Sequence, residues 1–442
     1  MANPLFDIFK VKDLRDRIFF TLGVLIIFRL GAILPIPGVD ITVLKDFFSN
    51  QQGSGLGLTE YFDFFSGGAF SNFSVFMLGI MPYISMSIIM QLLVLVFPAL
   101  KKISEEDGGK KKIQRFTRIG TVLVCLVQSY TVTVQAANIQ GAVVMDLLPF
   151  TLLAMLTVTT GTMFLMWLGE QINQRGIGNG ISMLIFAGIV ARIPDAIYQL
   201  IQKIQGGDSG PELNPVFVII ALGMFVGIVA LVIFEQQGVR KIPVNYAKRV
   251  VGRKVFGGQS TYIPFKINPS GVIPIIFASS VLTFPLQIAG NLGTSIEWLA
   301  SVANFLNPTG IPYLIIYVLL IVFFAYFYTQ VSLNPVEISK NIRENGGSIP
   351  GIRSEKMEEY LTKILNRIIL PGSLFLAFIA VIPNIIQSWF GFPSMVAQLM
   401  GGTSLLIMVG VDLDTMSQIE GHLRMHHHDG LGKKGKIRSR NL

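Results

Sequence analysis

"YFDFFSGGAFSNFS", residues 61–74, runs directly into "VFMLGIMPYISMSIIMQLLVLVF", residues 75–97, and the contrast between the two decides the fold. The first stretch is aromatic and apolar enough to enter a membrane. As a helix its length would reach about 21 Å, against a bilayer core roughly 30 Å thick. It cannot span, and the adjacent Gly67 and Gly68 weaken its centre. The second stretch is long enough to span. Non-spanning backbone at membrane depth is tolerated only where it is buried in protein or lines a cavity. The pairing of a half-length apolar segment with a full-length one therefore implies a cavity.

Composition agrees. The chain has 442 residues, a mean hydropathy of +0.60 and 14% charged residues, where an average soluble domain carries about 25%. Ten runs approach the ~20-residue spanning length: 18–37, 75–97, 116–136, 149–169, 180–201, 215–234, 270–290, 311–331, 367–388 and 396–415. Arg192, Pro194 and Asp195 interrupt the fifth. The opening "MANPLFDIFKVKDLRDRIFF" lacks the pattern of a cleavable signal peptide. Its apolar Leu5, Ile8 and Phe9 and its basic Lys10, Lys12, Arg15 and Arg17 suit a helix lying on an anionic surface. The single cysteine, Cys125, excludes an intrachain disulfide and a cysteine metal site.

Ten spans put both termini on one side, and 31 of the 35 Lys and Arg residues fall in the segments on that side. Only Lys45 and Lys203 lie in opposite loops, and Arg29 and Arg192 lie in spans. Basic loops stay in the cytoplasm, so both termini are expected inside and residues 61–74 outside. The formal charge of +9 is then a topological feature, although such loops could also meet the acidic surface of ribosomal RNA. A break near "IQGGDSGPELNP", 205–215, divides the spans five and five. The expected halves are residues 1–210, with spans one to five and the 61–74 segment, and residues 211–442, with spans six to ten. An odd number of spans per half makes similar halves oppositely oriented, an arrangement that builds a pathway at their interface.

Several chemistries are missing. No carboxylate lies deep in a clean span, which counts against ion-coupled transport, and no phosphate loop makes the chain its own ATP motor. "GIGNG", 176–180, reads as a tight turn entering the fifth span and not as a nucleotide site. "MHHHD", with His426, His427, His428 and nearby His422, reads as a solvated tail before it reads as a metal site. Arg29, costly in lipid, is expected to face the bundle interior in a structural role. What is present is an isoleucine stripe, Ile80, Ile84 and Ile88, in a span that also holds Ser85, Ser87, Gln91 and Pro82, the last expected to loosen the helix. Ile181 and Ile185 repeat the same spacing. Taken alone, such stripes are ordinary lipid or core contacts. Two long basic loops, 235–269 and 332–366, are larger than topology requires and suggest docking of a soluble partner.

"FRLGAILPIPGVD" (28–40), "FFSGGAFSNFSVFMLGIMPYISMSIIMQLL" (64–93), "GTMFLMWLGEQINQRGIGNGISMLIFAGIV" (161–190), "VNYAKR" (244–249), "GVIPIIFASS" (271–280), "FFAYFYTQVSLNPVEISKN" (323–341), "PGIR" (350–353) and "GGTSLLIMVGV" (401–411) together resemble the SecY family, pore subunits of the Sec protein-conducting channel. The resemblance covers essentially the whole chain. It implies an all-α polytopic membrane protein whose ten transmembrane helices form a clamshell of two inverted five-helix halves around a central pore, with a short plug helix. On that resemblance the plug includes Tyr61, Phe62, Phe64, Phe65, Gly67, Gly68, Phe70 and Asn72. The pore ring comprises Ile80, Ile84, Ile181, Ile185, Ile276 and Ile407, a hydrophobic constriction able to exclude water and ions without recognising any sequence. The lateral gate, between spans 75–97 and 116–136 on one side and 270–290 and 311–331 on the other, carries Ser85, Gln128 and Phe284. The last stands where some relatives are more polar. Motor or ribosome docking falls to Arg240, Lys241, Lys248, Arg249, Arg253, Lys254 and Arg353.

The implied function is a passive gated channel, not an enzyme, without cofactor or catalytic residues. Secretory polypeptides cross it unfolded, and membrane helices leave sideways into lipid. The implied partners are SecE and SecG in a heterotrimer, the SecA ATPase, the ribosome, signal peptides and unfolded preproteins, and membrane lipids. The implied location is the cytoplasmic (inner) membrane. A secondary transporter of inverted repeats would instead need polar ligands at the midplane, where this chain offers isoleucine. A scaffold without transport would not need residues 61–74. The His-rich tail and Arg192 depart from common relatives and have no role in this reading.

Overall fold

The computed structural model describes residues 11–44, 63–106, 108–205, 215–246, 249–251, 254–256, 260–292, 301, 305–306 and 310–433. Each of the ten apolar runs overlaps helix, although residues 75–80 are turns and the runs at 180–201 and 396–415 are each divided between two helices. In chain order the helices are α1 (Lys12–Ile33), α2 (Met81–Val96), α3 (Pro98–Glu105), α4 (Gly109–Ala137), α5 (Leu147–Arg175), α6 (Gly180–Val190), α7 (Ile193–Ile204), α8 (Pro215–Gln237), α9 (Ile273–Leu292), α10 (Ile311–Ser332), α11 (Pro335–Glu344), α12 (Met357–Phe390), α13 (Ser394–Met400) and α14 (Gly402–Lys433). Among the described residues six helices are long and apolar enough to cross a membrane by themselves. The number is seven if Met81–Val96 and Pro98–Ser104, bent by 107° at their junction, count as one span. The surface is what lipid requires. Val216–Gln237 has a mean hydropathy of 3.2 and leaves Ile219, Leu222, Val226 and Phe234 exposed, an apolar face that water would not tolerate. The amphipathic opening expected for residues 1–17 lies mostly outside the described residues; helix begins at Lys12.

The chain forms two compact units, Met1–Asp195 with Gly410–Leu442, and Ala196–Val409. In the first, α4 packs against α2 and α5, and α5 against α1 and α6. The expected span at 75–97 becomes helical only at Met81, because Pro82 occupies its first turn, where a missing N–H costs nothing. Pro82 thus starts the helix and does not loosen it. In α4 the Thr121 hydroxyl donates back one turn to the Thr117 carbonyl at 2.8 Å and the Thr133 hydroxyl to the Ser129 carbonyl at 2.7 Å, which satisfies them without water. The 176–180 turn is fixed by side chains. Thr21 Oγ1 accepts from the Ile177 amide at 3.0 Å, Gln418 Oε1 from Gly178 at 2.9 Å, and Asn173 Oδ1 from Gly180 at 2.8 Å. Asn179 caps α6 by accepting from the Ile181 amide at 3.1 Å.

In the second unit, α12 packs against α10, α11 and α13, and α9 against α10. The two basic loops, read from sequence as loops, contain a sheet. β1 (Val239–Tyr246) pairs antiparallel with β4 (Ser260–Lys266), from Val239 opposite Lys266 to Asn245 opposite Ser260. The other edge of β1 takes β5 (Gly347–Ser348), and β2 (Arg249–Val251) pairs with β3 (Lys254–Phe256). The strand forms because Ile242 and Val244 alternate inward while Arg240 and Lys241 stay exposed. Ile242, Val244 and Phe265 share one apolar core with Ile342, Ile349, Met357, Leu361, Ile364, Leu365, Ile368 and Ile369.

Gly180 enters α6 against α5 so closely that a Cβ there would lie 1.9 Å from the Gly169 carbonyl oxygen, whereas one on Gly223 would meet nothing within 4 Å. Alanine for glycine in an open helix gains ~0.5–1 kcal/mol, and a clash against backbone costs ~1–3 kcal/mol. Gly223→Ala is therefore expected to hold or raise the thermal midpoint of the purified protein in detergent, and Gly180→Ala to lower it. Equal midpoints would show that the α5–α6 approach is not tight.

Candidate functional site

The half-length segment does not form one helix. Asp63–Phe65 are helical and the described residues from Ser66 to Ile80 are turns and bridges. Tyr61 and Phe62 lie outside the described residues. The helix ends there because Gly67 and Gly68 take left-handed backbone, with φ of 68° and 88°, a conformation a side chain resists. Space also requires them. A Cβ on Gly67 would lie 2.8 Å from Gly188 Cα of α6, and one on Gly68 would lie 3.0 Å from Arg192 Cζ. Phe64, Phe65 and Phe70 are buried, and Asn72 is half-buried.

The segment's backbone is paired inside the protein. Gly68 donates to the Asp63 carbonyl at 2.9 Å and Ser74 to Ala69 at 3.0 Å. Ile36 donates to Phe73 and Val75 to Leu34, both at 3.0 Å. Side chains complete the seat. Arg29 Nη1 of α1 donates to the Gly67 carbonyl at 2.8 Å. Arg192, between α6 and α7, pairs with the Asp63 carboxylate and, through Nη1, with Asp195 at 2.9 Å. The Ser71 amide donates to Asp63 Oδ1 at 2.7 Å. Arg29 does face inward, onto this segment. Arg192, which sequence reasoning could not use, touches it directly. The signal available was a basic residue flanked by Asp195 in an otherwise apolar run, with its second partner far away in sequence.

Of the expected ring, Ile80, Ile84, Ile181 and Ile185 belong to the first unit, and Ile276 and Ile407 to the second. Ile80, Ile84, Ile185 and Ile407 are buried, and Ile181 and Ile276 half-buried. Ile80 sits at the N-cap of α2, its carbonyl accepting from the Ile84 amide at 3.2 Å. The helices assigned to the gate pack as α2 with α4 in one unit and α9 with α10 in the other. Ser85 is half-buried. Gln128 is buried, and its Oε1 has no hydrogen-bond partner among the described residues. Phe284 lies in α9, its side chain outside the described residues.

On the sheet, Arg240 and Lys241 are exposed, with Lys241 Nζ 4.8 Å from the centre of the Tyr262 ring. Arg249 and Lys254 lie on the β2–β3 pair, their side chains outside the described residues, as are Lys248 and Arg253 altogether. Arg353 is exposed just after Gly351, its carbonyl accepting from the Lys356 amide at 2.9 Å.

The SecY family model matches residues 74–416. The chain is 48% identical to the protein translocase subunit SecY of Borreliella burgdorferi over 96% of each chain. It is 41% identical to that of Escherichia coli K12 over 96% of this chain and 95% of the relative. Among solved structures it is similar to one described as a protein conducting channel, with a TM-score of 0.65 and 20% identity over 96% of this chain and 95% of that one. Two further structures each match with a TM-score of 0.62 and 19% identity over the same shares. One concerns the SecY plug domain, which stabilises the closed state of that channel and maintains a membrane seal. The other is Sec61 in the canine ribosome-channel complex from the endoplasmic reticulum. On this evidence of shared sequence and shared fold, the chain belongs to the SecY family, the protein-conducting channel subunits of the protein translocase, which are not enzymes.

Proposed function

We propose that the chain is the central pore of a translocase in the cytoplasmic (inner) membrane, with both termini in the cytoplasm, and that residues 61–74 are its plug. The observation that carries this reading is the non-spanning segment itself: apolar, folded on positive-φ glycines, with its backbone groups paired inside the protein. A segment seated by turns and a few polar contacts can leave as a unit when a polypeptide arrives. The functional halves are residues 1–210 and 211–442. Ile80, Ile84, Ile181, Ile185, Ile276 and Ile407 form the constriction beneath the plug, each tip free to change rotamer around a passing chain. Dewetting at such an apolar ring excludes ions.

Ser85, Gln128 and Phe284 line the lateral gate. A signal peptide's apolar helix would open it by binding the open form better than the closed, releasing membrane segments into lipid. SecE and SecG complete the heterotrimer. The sheet and the Arg353 turn form the docking face for the SecA ATPase or the ribosome, through Arg240, Lys241, Lys248, Arg249, Arg253, Lys254 and Arg353. The solved relative bound in a ribosome-channel complex supports the ribosomal half of that reading. The canine chain's fold is shared; its contacts are not assumed.

Deleting residues 61–74 is expected to leave an assembled channel whose resting ion leak in reconstituted vesicles rises, since the ring alone would then seal it. An unchanged leak would remove the sealing role. A photoreactive side chain carried on an arrested translocating polypeptide should label Ile84, Ile185 and Ile407 at one chain position, and labelling confined to either unit would dissolve the ring. Arg353→Glu is expected to cut ATP-driven transport of a secretory precursor. Losing one partner of a desolvated charge pair costs ~2–5 kcal/mol, and ~1.4 kcal/mol is already tenfold. Arg353→Lys keeps the charge but not the planar fork, so it should fall between. Normal transport by the Glu variant, with normal channel amounts, would take Arg353 off the coupling surface.

A further inference from the structure

Asp63, Arg192 and Asp195 form a charge cluster beside a segment rich in phenylalanine and glycine. The Arg192 and Asp63 side chains are 11% and 14% exposed, while Asp195 is 57% exposed. Arg192 Nη2 pairs with the Asp63 carboxylate and also reaches Ser71 Oγ at 3.4 Å. Its Nη1 holds Asp195 at 2.9 Å. Asp63 Oδ1 meanwhile closes the segment on itself through the Ser71 amide at 2.7 Å. The absence of a side chain at Gly68 is what lets the guanidinium approach, since a Cβ there would stand 3.0 Å from its carbon.

We infer that Arg192 and Asp63 are positioning residues of the plug, an ion-pair latch that seats residues 63–74 against the α6–α7 junction and opens when the segment is displaced; this rests on the plug reading of that segment. The arrangement suits a latch better than a permanent strut. Separating a buried ion pair is costly chiefly because it leaves an uncompensated charge. Here Arg192 has a second carboxylate, Asp195, three residues on and largely in solvent, so it keeps a partner when Asp63 departs. Asp63, leaving with the plug, moves toward water. The cost of opening is therefore finite at both ends, and the closed arrangement can re-form. Arg29, which donates to the Gly67 carbonyl, adds a second contact whose loss depends on the same movement. The charge pair adds a directional contact to the Arg29 bond and the close Gly67–Gly188 approach that also seat the segment.

The test is a charge swap in the complete translocase, reconstituted in lipid vesicles, with resting ion leak as the readout and assembled channel measured alongside. Asp63→Arg and Arg192→Asp each place like charges together, and each is expected to raise the leak by about tenfold or more, the effect of ~1.4 kcal/mol on the closed-to-open ratio. The double variant restores an Arg between two carboxylates and is expected to return to within about threefold of the native leak, as coupled residues should in a double-mutant cycle. Native-like leak in both single variants overturns the latch, and so does a double variant as leaky as the singles. If the singles fail to assemble, Asp63→Asn decides. It keeps an oxygen for the Ser71 amide and loses only the charge; it should leak above the native level, and a native leak overturns the proposal. The deletion of residues 61–74, measured in parallel, separates the two readings. A leaky deletion with tight latch variants removes the latch alone, and a tight deletion removes the plug and the latch together.

Discussion

A peptide group at membrane depth has no water to bond and must find its partner inside the protein. The first unit is arranged around that requirement. Spanning helices meet it within themselves. Residues 63–80 cannot, because glycines at 67 and 68 end the helix after Phe65. The amides of Ile36 and Val75 therefore reach across to Phe73 and Leu34, Arg29 takes the Gly67 carbonyl, and Ser66 Oγ receives the Phe70 amide at 3.2 Å. Phe73 accepts a φ of 45°, rare for an aromatic residue, and its ring stacks on Phe150 with centroids 6.3 Å apart. Strain of that kind persists only where the surroundings over-determine it. The segment is thus specified jointly by its own glycines and internal bonds and by the neighbours that receive it.

The second unit meets a different demand. Its α8 is apolar and largely exposed, suited to lipid, yet the same unit carries a sheet with a core of the kind found in a soluble domain. Both environments are served by α12, whose ends live in different media. Met357, Leu361, Ile364, Leu365, Ile368 and Ile369 lie in one buried core with Ala325, Ile342 and the strand residues Ile242, Val244 and Phe265, while Leu374 and Phe378 stay exposed on the apolar stretch beyond.

Much of this was legible because hydropathy is local. The helical runs could be found from some twenty consecutive residues, and the half-length segment could be told from its neighbours by length alone. What required partners was not legible. Arg192 looked like a flaw in the fifth span because Asp63 is distant in sequence. The sheet was hidden because its alternation, "VRKIPVNY", is diluted by basic residues and by Pro243, a poor strand former. Pro82 could have been read as a helix start, and was missed because the apolar run begins earlier than the helix does. The isoleucines carried no signal of their own. An i, i+4 stripe in a membrane helix is the same pattern whether it meets lipid, a neighbouring helix or a pore, so their role enters through family resemblance.

The length of α12 has a mechanical consequence. At 34 residues it runs about 51 Å, some 20 Å more than a bilayer core. The surplus is not a free end, since it is glued to β1 and β4 by shared apolar packing. A molecule that grips the hairpin holds no slack tether. It holds the near end of a helix that continues into the apolar stretch, and Pro371 and Pro383 inside that helix are the places where a push or twist on the strands would be turned into bending.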